Sequence, residues 1–222
     1  AEAIMIQEGY DYKKLLQYEN ITLVMVPDTR LAEAICAANF YEHPEEKLKM
    51  VGVTGTKGKT TTTFMIKEIL EKQGSKVGLI GTVATYINGK KYEDSDRTTP
   101  DSIHLFEILR KMVDAETEIA VMEVSSQSLK LNRVYGIHFN VGVFTNLSED
   151  HISLKEHPDM EDYFESKLKL FDMCDIAYVN ADDLYGQRVI REAKCEIKTY
   201  GIDNEANNIA KDISPRRLKR RF

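Results

Sequence analysis

A chain of 222 residues, 42% of them hydrophobic, can bury a core of ordinary domain size plus part of another, which excludes disorder as its overall state. Its formal charge of −6 offers no general attraction to nucleic acid or an anionic membrane, so a small phosphorylated ligand held by local geometry is the expected kind of partner. No stretch approaches the roughly 18 apolar residues of a membrane span, and the segment Ala1 to Tyr10 lacks the pattern of a signal peptide, so a cytoplasmic protein is expected.

Strand-length apolar runs alternate with segments of helical period, the pattern of an α/β fold. Ile21 to Val26 predicts a strand. Beyond Pro27-Asp28-Thr29, the segment Arg30 to Tyr41 predicts a helix with Leu31, Ala34, Ile35 and Ala38 on one face. His43 to Glu46 has the look of a linker. Lys49 to Val53, Lys59 to Gln73 and Val77 to Ile80 predict a βαβ unit, its helix ended by Gly74. Further helices are expected at Asp101 to Val113, Met160 to Phe171 and Ala181 to Ala193. Further strands are expected at Ile119 to Met122, Val141 to Thr145, Ile176 to Asn180 and Ile197 to Tyr200. A mostly parallel sheet with right-handed crossovers follows. Cys36, Cys174 and Cys195 lack the spacing of a zinc site or a disulfide framework and are read as buried thiols in a reducing compartment.

Ligands of such sheets collect beyond the carboxyl ends of the strands, and three polar segments stand there. Gly55-Thr56-Lys57-Gly58-Lys59-Thr60, followed by Thr61, lies between a strand and a helix, where glycines let N–H groups wrap a phosphate and the helix N-terminus adds a favourable field. Lys59 is placed to meet the β and γ phosphates and Thr60 to offer a hydroxyl to Mg²⁺, although Val53 stands where the common pattern has a glycine. Glu123 ends a buried strand, where it is either a magnesium ligand or a solvated acid. His151, in Asn146-Leu147-Ser148-Glu149-Asp150-His151, is either functional or an ordinary structural histidine. Lys167 would by itself pass for a solvated helix lysine. In Thr98-Thr99-Pro100-Asp101, either Thr99 or Asp101 could cap the following helix.

Taken together and in this order, these segments resemble the Mur ligase family, most closely its UDP-N-acetylmuramoyl-tripeptide synthetase branch. Gly55 to Thr60 matches the family's ATP loop, with Lys57 where asparagine is common. Met122-Glu123-Val124-Ser125-Ser126 and Phe144 to His151 match two further signatures, and Thr98-Thr99-Pro100 points to that branch. The resemblance implies a P-loop central domain at 49–213, preceded over 1–48 by the latter part of a UDP-precursor-binding domain, with the C-terminal amino-acid-binding domain lacking. The basic stretch 214–222 departs from it and is expected to be a foreign, disordered tail rather than a nucleic-acid-binding arm.

Site roles follow from the same resemblance. ATP would be held by Gly55, Thr56, Lys57, Gly58, Lys59, Thr60 and Thr61. One Mg²⁺ would sit on Thr60 and Glu123, and a second on His151 and a carbamylated Lys167, which makes Lys59, Lys167 and His151 the catalytic set. Thr98, Thr99, Ser125 and Arg133 would contact the substrate. Gln127 and Leu131 stand where other members carry histidine or a polar contact, and no role is assigned to them. The implied reaction adds L-lysine or meso-diaminopimelate to UDP-MurNAc-L-Ala-D-Glu through an acyl phosphate, in peptidoglycan synthesis and hence cell-wall biogenesis, shape and division. The length of Asp150 to Pro158 hints at lysine. Alternatives are a folylpolyglutamate- or cyanophycin-synthetase-like ligase, or a remnant that binds nucleotide or precursor without catalysis. Either way the 222 residues are expected to lack complete ligase activity.

Overall fold

The computed structural model describes residues 3–18, 20–150, 152–153 and 156–213. His151 and the stretch 214–222 lie outside the described residues.

Two strands, β1 (Ala3–Gln7) and β2 (Thr22–Val26), pair in parallel as a small separate sheet. Asp28 then caps α1 (Thr29–Phe40) by accepting hydrogen bonds from the backbone N–H groups of Arg30 and Leu31, as short acidic side chains do at helix starts. The buried stripe of α1 is Ala34, Ala37 and Ala38. Ile35 is 44% exposed, a correction to the expected face, because the small alanines let α1 lie closely on the helix it packs against and turn Ile35 outward. The cysteines also depart from expectation. Cys174 is buried, but Cys36 is exposed beside Ile35 and Cys195 is half-buried.

The main sheet begins with β3 (Lys49–Thr54), followed by α2 (Lys59–Lys72) and β4 (Val77–Ile80). A hairpin of β5 (Ala84–Ile87) and β6 (Lys90–Asp94) comes next, then α3 (Ser102–Asp114), β7 (Ile119–Glu123), the short α4 (Ser126–Lys130) and β8 (Phe139–Phe144). The chain continues through α5 (Met160–Leu168), β9 (Cys174–Asn180), α6 (Leu184–Glu192), β10 (Glu196–Gly201) and the two-residue β11 (Asn208–Ile209). Nine strands form one sheet in the order β11-β10-β9-β8-β3-β7-β4-β5-β6, parallel except at β5 and β6. Helix α3 buries Leu105, Phe106, Ile108, Leu109 and Met112 against it, the wide apolar stripe that a core-facing helix needs.

Register positions the site. Val53 lies opposite Glu123, Ile80 opposite Met122, and Thr54 opposite Phe144. The loops that leave β3, β4, β7 and β8 therefore emerge at one edge. After β3 the chain builds one side of the sheet, returns to β7, and then crosses to β8 on the other side. This is the strand reversal at which open α/β sheets form their ligand crevice.

Candidate functional site

The phosphate-type loop is held by the segment that follows β8. The Thr56 and Lys57 N–H groups donate to the backbone oxygen and Oδ1 of Asn146 at 2.9 and 3.0 Å, and the Thr145 hydroxyl donates to Lys57 O at 2.8 Å. Thr56 is buried, its hydroxyl packed between the Ser148 backbone and the Tyr163 phenol. Thr56 and Lys57 thus spend these groups on the protein itself. What remains to face an anion is the turn Gly58-Lys59-Thr60, where Gly58 (φ +86°) starts α2 without a side-chain cap, the arrangement of a helix-terminal anion site. Thr61 is exposed on that first turn, outside the cleft described below.

Two lysines converge behind the loop. Lys59 Nζ donates to Gly55 O at 2.8 Å and Thr56 O at 3.0 Å, and Lys167 Nζ donates to the same Gly55 O at 3.1 Å. Lys167 is only 2% exposed, against the solvated alternative, and lies 4.5 Å from the centroid of the Tyr163 ring. Burial, reinforced by the neighbouring Lys59 charge, holds its amine well below the ordinary lysine range, with Asp150 opposing. Burial also lowers Lys59, against the pull of Glu123 and Asp150.

Glu123 resolves the same way, being 1% exposed. Its Oε2 accepts from the hydroxyls of Thr60 (3.0 Å) and Thr82 (3.1 Å), and its Oε1 accepts from the Thr82 N–H (2.9 Å). No lysine or arginine forms an ion pair with it among the described residues. A buried carboxylate beside a threonine hydroxyl is the hard oxygen set that suits Mg²⁺.

Next to the loop a cleft of about 570 Å³ is lined by Lys59, Lys167, Thr98, Thr99, Ser125 and Arg133, with Arg97, Gln127 and Glu156 among the rest. The expected substrate residues are therefore brought together, though not in equivalent roles. Thr99 is buried and structural: its hydroxyl donates to Glu123 O (2.9 Å) and accepts from Ser125 N (3.1 Å). Asp101, not Thr99, caps α3, through His104 N. Ser125 caps α4 through Ser128 N. Arg133 reaches back to Thr99 O at 3.3 Å and, with Arg97, leaves the cleft strongly cationic. The Gln127 amide nitrogen is buried without a partner among the described residues.

Sequence reasoning missed several of these groups. Thr82 sits directly after β4, so the strand-end rule applied there would have found it. A second cluster gave no such signal. Buried His157 bridges Ser126 Oγ (2.9 Å) and Asp162 Oδ2 (2.5 Å), and Lys130 closes on the same Asp162 at 2.7 Å. These contacts tie α4, which carries the cleft wall, to α5, which carries Lys167.

A strand-to-helix loop with a buried acid beside it and a cationic cleft sharing its lysine place this fold with the middle domains of the Mur ligases. The chain belongs to the Mur ligase family, whose middle domain matches residues 53–222. It is 44% identical over 213 residues to the UDP-N-acetylmuramoyl-L-alanyl-D-glutamate–2,6-diaminopimelate ligase of Clostridium tetani, covering 96% of this chain and 43% of that protein. It is 48% identical over 194 residues to such a ligase of Clostridium acetobutylicum, covering 87% and 40% respectively. A solved structure of a ligase with the same name superposes with a TM-score of 0.71 at 27% identity, over 85% of this chain and 39% of that one. The chain thus spans less than half the length of these relatives.

Proposed function

We propose that this chain carries the ATP- and precursor-binding part of a ligase that joins an amino acid to UDP-MurNAc-L-Ala-D-Glu through an acyl phosphate. The observation that carries the reading is the meeting of two lysine amines, half-buried Lys59 and buried Lys167, on one carbonyl, Gly55 O, where the phosphate loop opens into the cleft. The Lys59 charge beside the uncapped start of α2 favours an anion there. The names of the relatives favour diaminopimelate over lysine as the incoming amino acid.

In this reading Thr60 and Glu123 hold one Mg²⁺, and His151 with Lys167 holds a second. Magnesium supplies charge neutralisation for the phosphates. Lys59 leaves the loop carbonyls to donate to the β and γ phosphates, while the N–H groups of the α2 start cradle them. Arg133, Thr98 and Ser125 hold the acidic peptide so that its side-chain carboxylate oxygen faces the terminal phosphorus. Positioning is the main contribution of such groups, since no side-chain nucleophile is required. The domain division at residue 48 and a cytoplasmic location accompany the proposal; no helix among the described residues is long and apolar enough to cross a membrane.

Calorimetry with UDP-MurNAc-L-Ala-D-Glu tests the cleft assignment. Binding is expected, weakened roughly 10- to 100-fold in Arg133→Ala by loss of a charge-assisted hydrogen bond. Equal affinity in the two proteins, or tighter binding of a folate substrate than of the precursor, would overturn it.

Lys167 is proposed to react as its neutral amine with CO2, forming an N–C bond and releasing one proton to give the carbamate. Burial disfavours the charged ammonium and so favours this form. Carbon-13 NMR with labelled bicarbonate and Mg²⁺ is expected to show a carbamate signal that vanishes in Lys167→Ala. A signal that persists in that variant sinks the assignment.

A further inference from the structure

Away from the cleft, His43, Glu45 and Glu46 bring an imidazole nitrogen and two carboxylate oxygens within 4.8 Å of one another, the only such meeting of three His, Cys, Asp or Glu side chains among the described residues. They stand in and just before the 3-10 turn Pro44–Lys47, which leads from α1 into β3. The phosphate loop follows β3, so the two places lie at opposite ends of that strand. His43 has φ +49°, with its N–H donating to Ala38 O at 2.9 Å, and Glu46 N–H donates to His43 O at 3.3 Å. The turn is thereby folded back on the end of α1, with the three side chains gathered on it before any ligand arrives.

Exposed acids often gather with no ion among them, but Glu45 is withdrawn from water, its side chain only 4% exposed. One carboxylate oxygen, Oε1, lies 2.9 Å from His43 Nδ1, and the other, Oε2, is buried with no hydrogen-bond partner. Among the described residues no lysine or arginine forms an ion pair with Glu45 or Glu46. A buried carboxylate needs donors or a compensating charge, and a cation supplies what the neighbours do not. The geometry suits one. Nitrogen and oxygen ligands held at about 2.0–2.2 Å from a shared ion stand about 3–4 Å apart, close to the observed separation of Nδ1 and Oε1. Glu46 is exposed and able to close in, and half-exposed His43 leaves the ion a route of entry. One nitrogen with two oxygens selects a first-row transition ion over Mg²⁺ or Ca²⁺, which prefer oxygen alone.

We propose that His43, Glu45 and Glu46 form a site for a divalent cation of the zinc class, with water completing its coordination. The ion neutralises the two carboxylates and fastens the turn between α1 and β3, so it acts on the stability of that junction rather than on the reaction. The site shares no residue with the cleft or with the proposed Mg²⁺ positions, and it stands whether or not those roles hold.

The test is a zinc titration by calorimetry on the untagged, chelator-stripped full chain, with Mg²⁺ in excess to occupy the oxygen-rich surroundings of Glu123. A single equivalent of Zn²⁺ is expected to bind, and at a free concentration about 100 times its Kd the thermal midpoint should rise by roughly 5–10 °C. Glu45→Gln and His43→Asn should each weaken binding at least about 10-fold and reduce that rise. Asparagine tolerates the left-handed backbone at position 43, so His43→Asn decides the matter if Glu45→Gln does not fold. His138→Ala, which breaks the exposed pair of His138 with Asp175, should bind zinc as the wild type does. No zinc binding by the wild type, undiminished binding in either folded variant of the cluster, or loss of binding in His138→Ala overturns the site.

Discussion

Lys59→Ala should cost about 1.5–3 kcal/mol of Mg²⁺-ATP binding, or roughly a 10- to 150-fold rise in Kd, the usual worth of hydrogen bonds to a charged group. The side chain has two roles that argue for the upper part of that range. It brings the positive charge to the anion site, and in the nucleotide-free chain it closes the loop by donating to both Gly55 O and Thr56 O. Calorimetry should show the loss with little change in fold, because the loop also hangs on Asn146 and Thr145. Unchanged affinity in a variant of wild-type stability would mean that phosphate binds elsewhere.

Gly55→Ala should be the more damaging change to stability. Gly55 has φ +145°, and a Cβ on it would collide with Thr145 Oγ1 and crowd the Asn146 backbone. A strained backbone costs of order 1–3 kcal/mol and overpacking roughly as much again. At about 2–4 °C per kcal/mol for a chain of this size, the thermal midpoint is expected to fall by roughly 5–20 °C. The β3 loop and the β8 loop should loosen together, since each is the other's hydrogen-bond partner. A midpoint within about 2 °C of wild type would show that the two loops are not interlocked in solution.

The contrast between these positions and the missed ones shows what a sequence can disclose. The loop, Glu123 and the strands that carry them were legible because each stands at a change of period, an apolar run giving way to glycine or charge. Lys167 required the family resemblance, since nothing local separates it from a surface lysine; its burial comes from the packing of α5 under the loop. The β5–β6 hairpin is a different case. Asn88-Gly89, both at positive φ, is a strong two-residue hairpin signal, but the flanking strands are short and polar and made no apolar run to notice. Thr82 follows a predicted strand, but its contact with Glu123, like those of the His157 cluster, lies further out of reach. Their partners come from the register of β4 on β7 and from the docking of α5 on α4, which are long-range facts. In the predicted helix Met160 to Phe171, the α-helix ends at Leu168 and tightens into a 3-10 turn over Lys169–Asp172, a boundary shift of the kind expected at fraying helix ends.

The outermost strand of the sheet carries a consequence for how the chain behaves in company. Beyond β6 the nine-stranded sheet has no neighbour on that side among the described residues, and an open row of N–H and C=O groups is a template on which another chain can assemble. Its five residues are Lys90-Lys91-Tyr92-Glu93-Asp94, four of them charged. A second copy laid antiparallel would bring its acids toward these lysines, whereas a parallel copy in register would set like against like. The pairing also slips at Thr85/Tyr86, which disturbs the regular spacing a newcomer would have to match. At the other extremity β11 is only two residues long, too short to recruit a stranger. Among the described residues the two edges of the sheet thus differ, charge and irregularity at one and brevity at the other, and both discourage edge-to-edge pairing at high concentration.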